Sequence, residues 1–177
     1  MEVRYTTDRN SIRQVEYDFV QSAFGEILSA WCCEQMERSG VDRERQLCFA
    51  TFTPYLGREA VLAELRALFP SATMRKIDSK EDIITTPPQR ILLAGTQFRI
   101  DVWRALLTIE RGKTTTYSAL ATIAGHPTAV RAVATSVGRN PISVIVPCHR
   151  IVPASGGVGN YHSGAEIKRR LLEWEAR

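Results

Sequence analysis

One apolar stretch of the chain carries a cysteine, a histidine and an arginine in succession: Ser143-Val144-Ile145-Val146-Pro147-Cys148-His149-Arg150-Ile151-Val152. Its β-branched residues predict a buried β-strand, which Pro147 interrupts because proline has no N–H to donate to a strand ladder. A thiol beside an imidazole and a guanidinium is expected to have a lowered pKa and to react as a thiolate. The alternative is a buried, inert cysteine, since free cysteines are among the most buried residues in proteins.

The segment that follows this stretch is rich in glycine over residues 155–164, and a helix is predicted over Ala165–Trp174. Such density of glycine allows the backbone to approach a ligand or a phosphate closely. Neither of the nucleotide-binding patterns G-x-x-x-x-G-K-[ST] and G-x-G-x-x-G occurs, so a nucleotide-binding loop is not supported.

Two short helices are predicted before the cysteine, at Tyr117–Ile123 and Thr128–Val137, with Gly125-His126-Pro127 between them. This is the outline of a helix-turn-helix, although most short helix pairs are only packing units. Arg131 follows the apolar position Val130 and is expected on the more exposed side of the second helix.

The first 95 residues predict an α/β domain over residues 15–85, followed by a linker (86–95). The polar residues 1–14 before the domain indicate a mobile tail or the remnant of a junction to something longer. Two strands flank a Ser22–Gly25 turn, Leu47–Phe52 is a third strand, and Arg58–Phe69 is a helix. Residues 35–45 are charged and turn-like. We expect structural roles for the three cysteines in or beside the strands: Cys32, Cys33 and Cys48.

A second domain is predicted over residues 96–177, starting with a helix that Thr96 caps and that ends at Gly112. The charges are uneven: residues 1–90 have 12 basic and 14 acidic side chains, whereas residues 91–177 have 11 basic and 5 acidic ones. A basic second half suggests a polyanionic partner, simple solvation being the alternative.

The cysteine pattern and the hydropathy exclude several classes of protein. The four cysteines contain no C-x-x-C pair and only three histidines accompany them, so neither a disulfide framework nor a familiar zinc site is predicted. No apolar run reaches membrane-spanning length and the N-terminus lacks a signal-peptide core, which predicts a cytoplasmic protein.

Taken together, the motifs of the second half resemble those of the O6-alkylguanine-DNA alkyltransferases. The resemblance is dense over Gly95–Glu175 and weaker over residues 1–90. The matching motifs are Gly95-Thr96-x-Phe98, Tyr117-Ser118-x-Leu120-Ala121, Ala129-Val130-Arg131-Ala132-Val133, Asn140-Pro141, Pro147-Cys148-His149-Arg150-Ile151-Val152, Gly159-Asn160-Tyr161-x-x-Gly164 and Lys168-x-x-Leu171-Leu172-x-x-Glu175.

The resemblance implies an N-terminal α/β domain of ribonuclease H-like fold and a mainly helical C-terminal domain with a winged helix-turn-helix. It implies a monomeric, single-turnover repair protein without metal or cofactor. Such a protein flips O6-alkylguanine, and also O4-alkylthymine, out of double-stranded DNA and moves the alkyl group onto its own cysteine. Extruding a paired base costs a few kcal/mol, and displacement at an alkyl carbon requires a thiolate.

The resemblance also implies roles for individual residues. In a strand, Cys148 and His149 would face opposite sides, which suits a water-bridged relay in which Glu175 orients His149. The implied catalytic residues are Cys148, His149, Glu175, Asn140 and Tyr117. The implied DNA-binding residues are Arg131 as the finger that fills the vacated base stack, with Tyr117, Thr128, Ala129, Ala132 and Arg139. The implied substrate-binding residues are Val158, Tyr161 and Ser163.

Two departures from some relatives border the expected pocket: Ser143 stands where they have proline, and Ser163 where they have glycine. Acceptance of bulky alkyl groups is therefore left open. Two other functions are weighed against alkyl transfer. One is a non-catalytic lesion-binding or regulatory DNA-binding protein. The other is a cysteine hydrolase that uses Cys148 with His149 or His162, which would need a supporting carboxylate or amide, an oxyanion hole and repeated turnover.

Overall fold

The computed structural model of the chain describes residues 1–33, without the side chain of Cys33, and residues 45–177. These residues form two compact units, Met1–Gly95 and Thr96–Arg177. The turn-like segment expected at residues 35–45 lies outside the described residues except for Arg45, which begins a strand. No helix in the described part of the chain is long and apolar enough to cross a membrane.

The N-terminal unit is a six-stranded mixed sheet with one α-helix. In chain order its elements are β1 (Glu2–Thr6), β2 (Gln14–Ser22), β3 (Gly25–Cys33), β4 (Arg45–Phe52), α1 (Arg58–Leu68), β5 (Thr73–Lys76) and β6 (Arg90–Ala94). The sheet order is β1-β6-β4-β3-β2-β5. Strands β2, β3 and β4 are antiparallel neighbours, whereas β1–β6, β6–β4 and β2–β5 are parallel pairs.

The structure confirms the expected hairpin (β2–β3), third strand (β4) and helix (α1) of this unit. Their local sequence patterns agree with the way they pack. Ser22 pairs with Gly25 across a tight turn in which Gly25 has φ 118. Helix α1 buries Val61 and Leu65 in one apolar cluster with the sheet. Cys32 and Cys48 belong to the same cluster, and burial raises the pKa of Cys48 well above its ordinary value, as expected of structural thiols.

The prediction of a mobile tail over residues 1–14 is wrong. Residues Glu2–Thr6 form the edge strand β1, paired in parallel with β6 from Glu2↔Arg90 to Thr6↔Ala94. An edge strand is half exposed, so polar residues are tolerated and no apolar period marks it in the sequence. Glu2 also forms ion pairs with Arg4 and, at 2.8 Å, with Arg90.

The prediction of a linker over residues 86–95 is wrong for its second half. Residues Arg90–Ala94 form β6, an interior strand between β1 and β4, and Ile91 and Leu93 are fully buried. A parallel strand covered on both faces is continuously apolar, and a short apolar run of this kind lacks the alternation by which exposed strands are recognised.

The C-terminal unit is mainly helical. Its elements are α2 (Gln97–Leu107), β7 (Thr115–Thr116), α3 (Tyr117–Ile123), α4 (Val130–Gly138), β8 (Ile151–Val152) and α5 (Ala165–Glu175). Thr96 caps α2 through its hydroxyl, which accepts from the Arg99 N–H at 3.4 Å. Helix α2 ends at Leu107 rather than at the expected Gly112, because Thr108 and Ile109 donate to the carbonyl groups three residues back and close a tighter turn.

Helix α3 is confirmed at the predicted place, and α4 is confirmed with its start at Val130 instead of Thr128. Both pack with α2 around buried Leu120, Val133 and Trp103. The indole N–H of Trp103 donates to the Ser136 carbonyl at 2.9 Å, which ties α2 to α4. The short parallel pair β7–β8 joins the residues before α3 to those after Cys148. This pairing brings the start of α3 and the cysteine segment to one side of the unit.

Candidate active site around Cys148

The segment before Cys148 is a series of tight turns, and the prediction of a buried strand over Ser143–Val152, interrupted at Pro147, is wrong except for Ile151–Val152. The Ile145 N–H donates to the Ser143 carbonyl at 2.9 Å around Val144, whose φ is 71. The Cys148 N–H donates to the Val146 carbonyl at 2.8 Å around Pro147, with φ −83 and ψ 60. Both are γ-turns, the first of the rare, strained, positive-φ type. Cys148–Arg150 is a 3-10 turn, and only Ile151–Val152 is extended.

The side chain of Asn140 holds these turns in place. Its Nδ2 donates to the carbonyl oxygens of Ile142 at 3.3 Å and Val146 at 2.7 Å, and its Oδ1 accepts from the Ile142 N–H at 3.0 Å. The same Nδ2 lies 3.0 Å from Cys148 Sγ. The Asn140 side chain thus pairs with backbone groups that would otherwise require a neighbouring strand, as the β-branched sequence predicts.

The thiol of Cys148 is neutral in this environment, which corrects the expectation of a lowered pKa. Burial raises the pKa of Cys148, and hydrogen bonding from Asn140 and Tyr161 and the charge of Lys168 oppose that rise only in part. The neighbouring imidazole and guanidinium do not lower it, because in the 3-10 turn His149 and Arg150 are directed to Glu175.

Glu175 is the centre of a buried ionic cluster. Its Oε1 lies 3.0 Å from His149 Nε2, and Arg150 donates to both carboxylate oxygens at 2.9 and 2.7 Å. Burial by itself would raise the pKa of Glu175, but hydrogen bonds and charge from His149 and Arg150 outweigh it and lower the pKa to about 2. Although this glutamate is two residues from the end of the sequence, it is only 7% exposed.

His149 is fully buried, and its second ring nitrogen, Nδ1, has no hydrogen-bond partner among the described residues. The 3.0 Å contact with Glu175 is an ion-pair distance without good N–H alignment. A buried imidazole held on one side by a carboxylate and unpartnered on the other is suited to accept or deliver a proton.

Lys168 is a charged residue of this site to which the sequence analysis assigned no role. It is 1% exposed, and its Nζ donates to the Ile151 carbonyl at 2.6 Å. Burial lowers the pKa of Lys168, while the thiolate form of Cys148 raises it. The sequence did contain a signal for this role. Lys168 stands seven residues before Glu175 in the motif Lys168-x-x-Leu171-Leu172-x-x-Glu175, and residues i and i+7 of one helix share a face. The ammonium group favours a negative charge on the sulfur.

A pocket of about 460 Å³ opens over Cys148. Its lining residues are Tyr117, Ala134, Thr135, Val137, Gly138, Asn140, Ser143, Cys148, Asn160, Tyr161 and His162. The volume lies in the ordinary range of small-molecule sites. Of the three expected substrate-binding residues, Tyr161 lines this pocket, whereas Val158 and Ser163 are not among its lining residues.

The two tyrosines of the pocket remain protonated. The pKa of Tyr117 is raised by burial and by the negative charge that Cys148 carries in its thiolate form. The pKa of Tyr161 is raised well above its ordinary value for the same two reasons. The side chain of Tyr117 therefore presents a hydroxyl donor at the first residue of α3, on the same pocket as the sulfur.

The residues expected to meet DNA lie at the beginning and end of α4. Arg131 and Ala132 are exposed in its first turn, Thr128 is exposed and Ala129 half-buried just before it, and Arg139 is exposed at its C-terminal cap. Tyr117 is half-buried.

No group of three His, Cys, Asp or Glu side chains that would suit a metal ion occurs within residues 1–33 and 45–177.

Comparison with known proteins relates this site to a family. A family model described as the DNA-binding domain of 6-O-methylguanine DNA methyltransferase matches residues 97–177. The methylated-DNA–protein-cysteine methyltransferase of Mycobacterium tuberculosis is 51% identical over 83 residues, which is 47% of this chain and 50% of the relative. The regulatory protein ada of Salmonella typhimurium is 36% identical over 148 residues, which is 77% of this chain and 41% of the relative.

Solved structures resemble nearly the whole chain. A crystal structure of Mycobacterium tuberculosis O6-methylguanine methyltransferase has 30% identity and a TM-score of 0.61, covering 92% of this chain and 93% of that one. Mycobacterium tuberculosis OGT in complex with DNA has 28% identity and a TM-score of 0.68, covering 91% and 92%. The matches to the first curated relatives, in contrast, span about half of those proteins or less.

Proposed function

This chain belongs to the O6-alkylguanine-DNA alkyltransferase family, and we propose that it is a single-turnover DNA repair protein that transfers an alkyl group from O6-alkylguanine to its own Cys148. The observation that carries the proposal is the Cys148 thiol at a pocket, contacted by Asn140 at 3.0 Å and adjoining the buried His149–Glu175 pair. O4-alkylthymine is a second substrate of the same chemistry, since it also offers an alkyl carbon on an exocyclic oxygen.

The transfer is a displacement at carbon. The Cys148 sulfur attacks the alkyl carbon, a C–S bond forms, the C–O6 bond breaks and its electron pair goes to the base. Because burial holds the free thiol neutral, its proton must leave as the substrate binds, and His149 is the acceptor. The two side chains share no direct hydrogen bond among the described residues, so the proton passes through solvent in the pocket.

Charge created during the reaction is matched by groups of the site. Asn140 Nδ2 and the Lys168 ammonium stabilise the developing thiolate. The buried Glu175 carboxylate stabilises the imidazolium that His149 becomes. The Tyr117 hydroxyl, with its raised pKa, is available as a donor to the leaving guanine.

Access to the base requires its removal from the duplex. We propose that α4 is the DNA-binding helix, with Arg131 in the place of the extruded base and Thr128, Ala129, Ala132 and Arg139 against the backbone around it. An exposed guanidinium in the first turn of a helix is suited to this insertion. The ribonuclease H-like and winged-helix descriptions of the two units, and a monomeric state, belong to the same proposal.

A cysteine hydrolase with His149 as its base is not favoured by the geometry. Such an enzyme requires its nucleophile and base in hydrogen-bond contact. Here the described contacts of His149 lead to Glu175, and neither ring nitrogen is hydrogen-bonded to Cys148. A lesion-binding protein without transfer would have no need of the Lys168 charge and the Asn140 donor to stabilise negative charge on the sulfur.

The test is the intact mass of the protein after incubation with duplex DNA containing O6-methylguanine, followed by peptide mapping. We expect one methyl group per chain, at Cys148, and no further product when more DNA is added. Cys148→Ala should bind the DNA without gaining mass, and Cys32→Ala, in the other unit, should still gain one methyl group. Lesion binding with an unchanged mass in the natural sequence would leave only a recognition protein.

A further inference from the structure

Ser143 occupies an unusual position in the site. It precedes Val144, a β-branched residue with φ 71, and its carbonyl closes the γ-turn by accepting from Ile145. Among the described residues only Val144 and the exposed Lys80 have positive φ without being glycine. Strain of this kind persists only where surrounding contacts hold it, and it is concentrated at functional sites.

The turn places Ser143 in the wall of the pocket. Ser143 is only 3% exposed and lines the same pocket as Cys148 and Tyr161. The Asn140 bonds on both sides of the turn, to Ile142 and Val146, leave little freedom for this hydroxyl to move away. A hydroxyl in this position is available to pair with another polar group of the pocket wall, since a buried polar group left unpaired is costly.

The Tyr161 hydroxyl is such a polar group of the same pocket. This oxygen is fully buried and has no aligned hydrogen bond in the described part of the chain. Its electrostatic neighbours are the Ser143 hydroxyl and the Cys148 thiol. Burial raises the pKa of Tyr161 strongly, so it keeps its proton; the Ser143 hydroxyl opposes that rise in part, and the Tyr161 hydroxyl in turn lowers the pKa of Cys148.

We propose that Ser143 is a positioning residue for Cys148, acting through Tyr161. The Ser143 hydroxyl donates to the Tyr161 oxygen and thereby leaves the phenolic proton directed at the sulfur, where it stabilises the thiolate. The inference rests on the proposed function only in one respect, namely that the thiolate stabilised in this way serves alkyl transfer. The arrangement itself concerns the acidity of a thiol and is measurable without DNA.

The experiment compares the pH dependence of Cys148 alkylation by iodoacetamide, read at Cys148 by peptide mapping, in the full chain and its variants. Ser143→Ala should move the midpoint up by about half to one pH unit and slow the reaction near pH 7 about three- to tenfold. Ser143→Thr, which keeps the hydroxyl, should restore most of the profile. Ser155→Ala, an exposed serine outside the pocket, is the matched control.

Tyr161→Phe separates positioning from simple packing. We expect it to shift the profile at least as far as Ser143→Ala, and we expect the double variant to shift it no further, since both act through one hydroxyl. An unchanged profile in Ser143→Ala, or additive shifts in the double variant, would overturn the inference. If Ser143→Ala does not fold, an unchanged profile in Tyr161→Phe overturns it equally.

Methyl transfer from DNA is measured in parallel on the natural sequence. Transfer to Cys148 together with an unchanged Ser143→Ala profile rejects the role of Ser143 and leaves the proposed function standing. A shifted profile without any transfer from DNA rejects the proposed function and retains the role of Ser143 in setting thiol acidity.

Discussion

The amide nitrogen of Asn140 lies 3.0 Å from the sulfur of Cys148, and the same nitrogen donates at 2.7 Å to the carbonyl of Val146. One buried side chain therefore shapes the backbone turn that leads into the cysteine and also offers a donor to the thiolate. Stability and reactivity are coupled at this residue.

Asn140→Ala should lower the free energy of unfolding by about 2–4 kcal/mol, because the buried Ile142 N–H loses its acceptor and two carbonyls lose a donor. It should also raise the pKa of Cys148, since one group that opposes the effect of burial is gone. Urea unfolding and the iodoacetamide pH profile measure the two effects. Asn160→Ala, an exposed amide in the same pocket, is the control for stability and should change it by less than about 0.5 kcal/mol.

Substitutions at Val144 should reverse the usual order of alanine and glycine. Glycine ordinarily costs about 0.5–1 kcal/mol relative to alanine, but a position with φ 71 favours glycine. We expect Val144→Gly to be more stable to urea than Val144→Ala by about 1 kcal/mol. The same pair at Ile145, where φ is negative, should show the ordinary order. An alanine variant more stable than the glycine variant at 144 would contradict the strained turn.

Glu175 should contribute stability that depends on pH. Its folded-state pKa of about 2 is below the ordinary 4.5, so the contribution is fully present above about pH 5 and is lost as the pH falls towards 2. Its size is on the order of 2–3 kcal/mol. Urea unfolding of Glu175→Gln and the natural sequence should differ at pH 7 and converge near pH 2.

The matched control for this pH dependence is Glu173→Gln, an exposed glutamate of the same helix paired with Arg169. It should change stability little at any pH, because exposed ion pairs contribute less than about 1 kcal/mol. A Glu175→Gln variant whose stability runs parallel to that of the natural sequence down to pH 2 would show that the carboxylate is not held by His149 and Arg150.

Arg131→Ala should slow repair of duplex DNA by about tenfold or more, equivalent to about 1.4 kcal/mol, because the extruded base would leave an unfilled stack. Transfer from a free O6-alkylguanine base should be nearly unchanged, since no extrusion is needed. Single-turnover rates on the two substrates measure this, with Arg169→Ala on α5 as the control arginine. Equal losses on both substrates would assign Arg131 to the pocket rather than to extrusion.

Local sequence patterns are sufficient to predict some elements of this fold and not others. The β2–β3 hairpin, helix α1 and helices α3 and α4 were predicted correctly, since each has a clear period, a turn signal or a cap within its own residues. Strand β1 and strand β6 were not. Their identity comes from pairing with each other across almost ninety residues, and neither carries an alternating pattern.

The sequence by itself determined the family, the candidate nucleophile and the helices that present it, because these depend on residue types at short spacings. Only the tertiary structure decided that Val144 lies in a γ-turn instead of a strand, that burial keeps the Cys148 thiol neutral, and that the charge of Lys168 acts on that thiol. The physical reason is that desolvation and side-chain capture of the backbone depend on groups distant in the chain. Glu175, near the end of the sequence, reaches His149 and Arg150 only once α5 has packed against the cysteine segment.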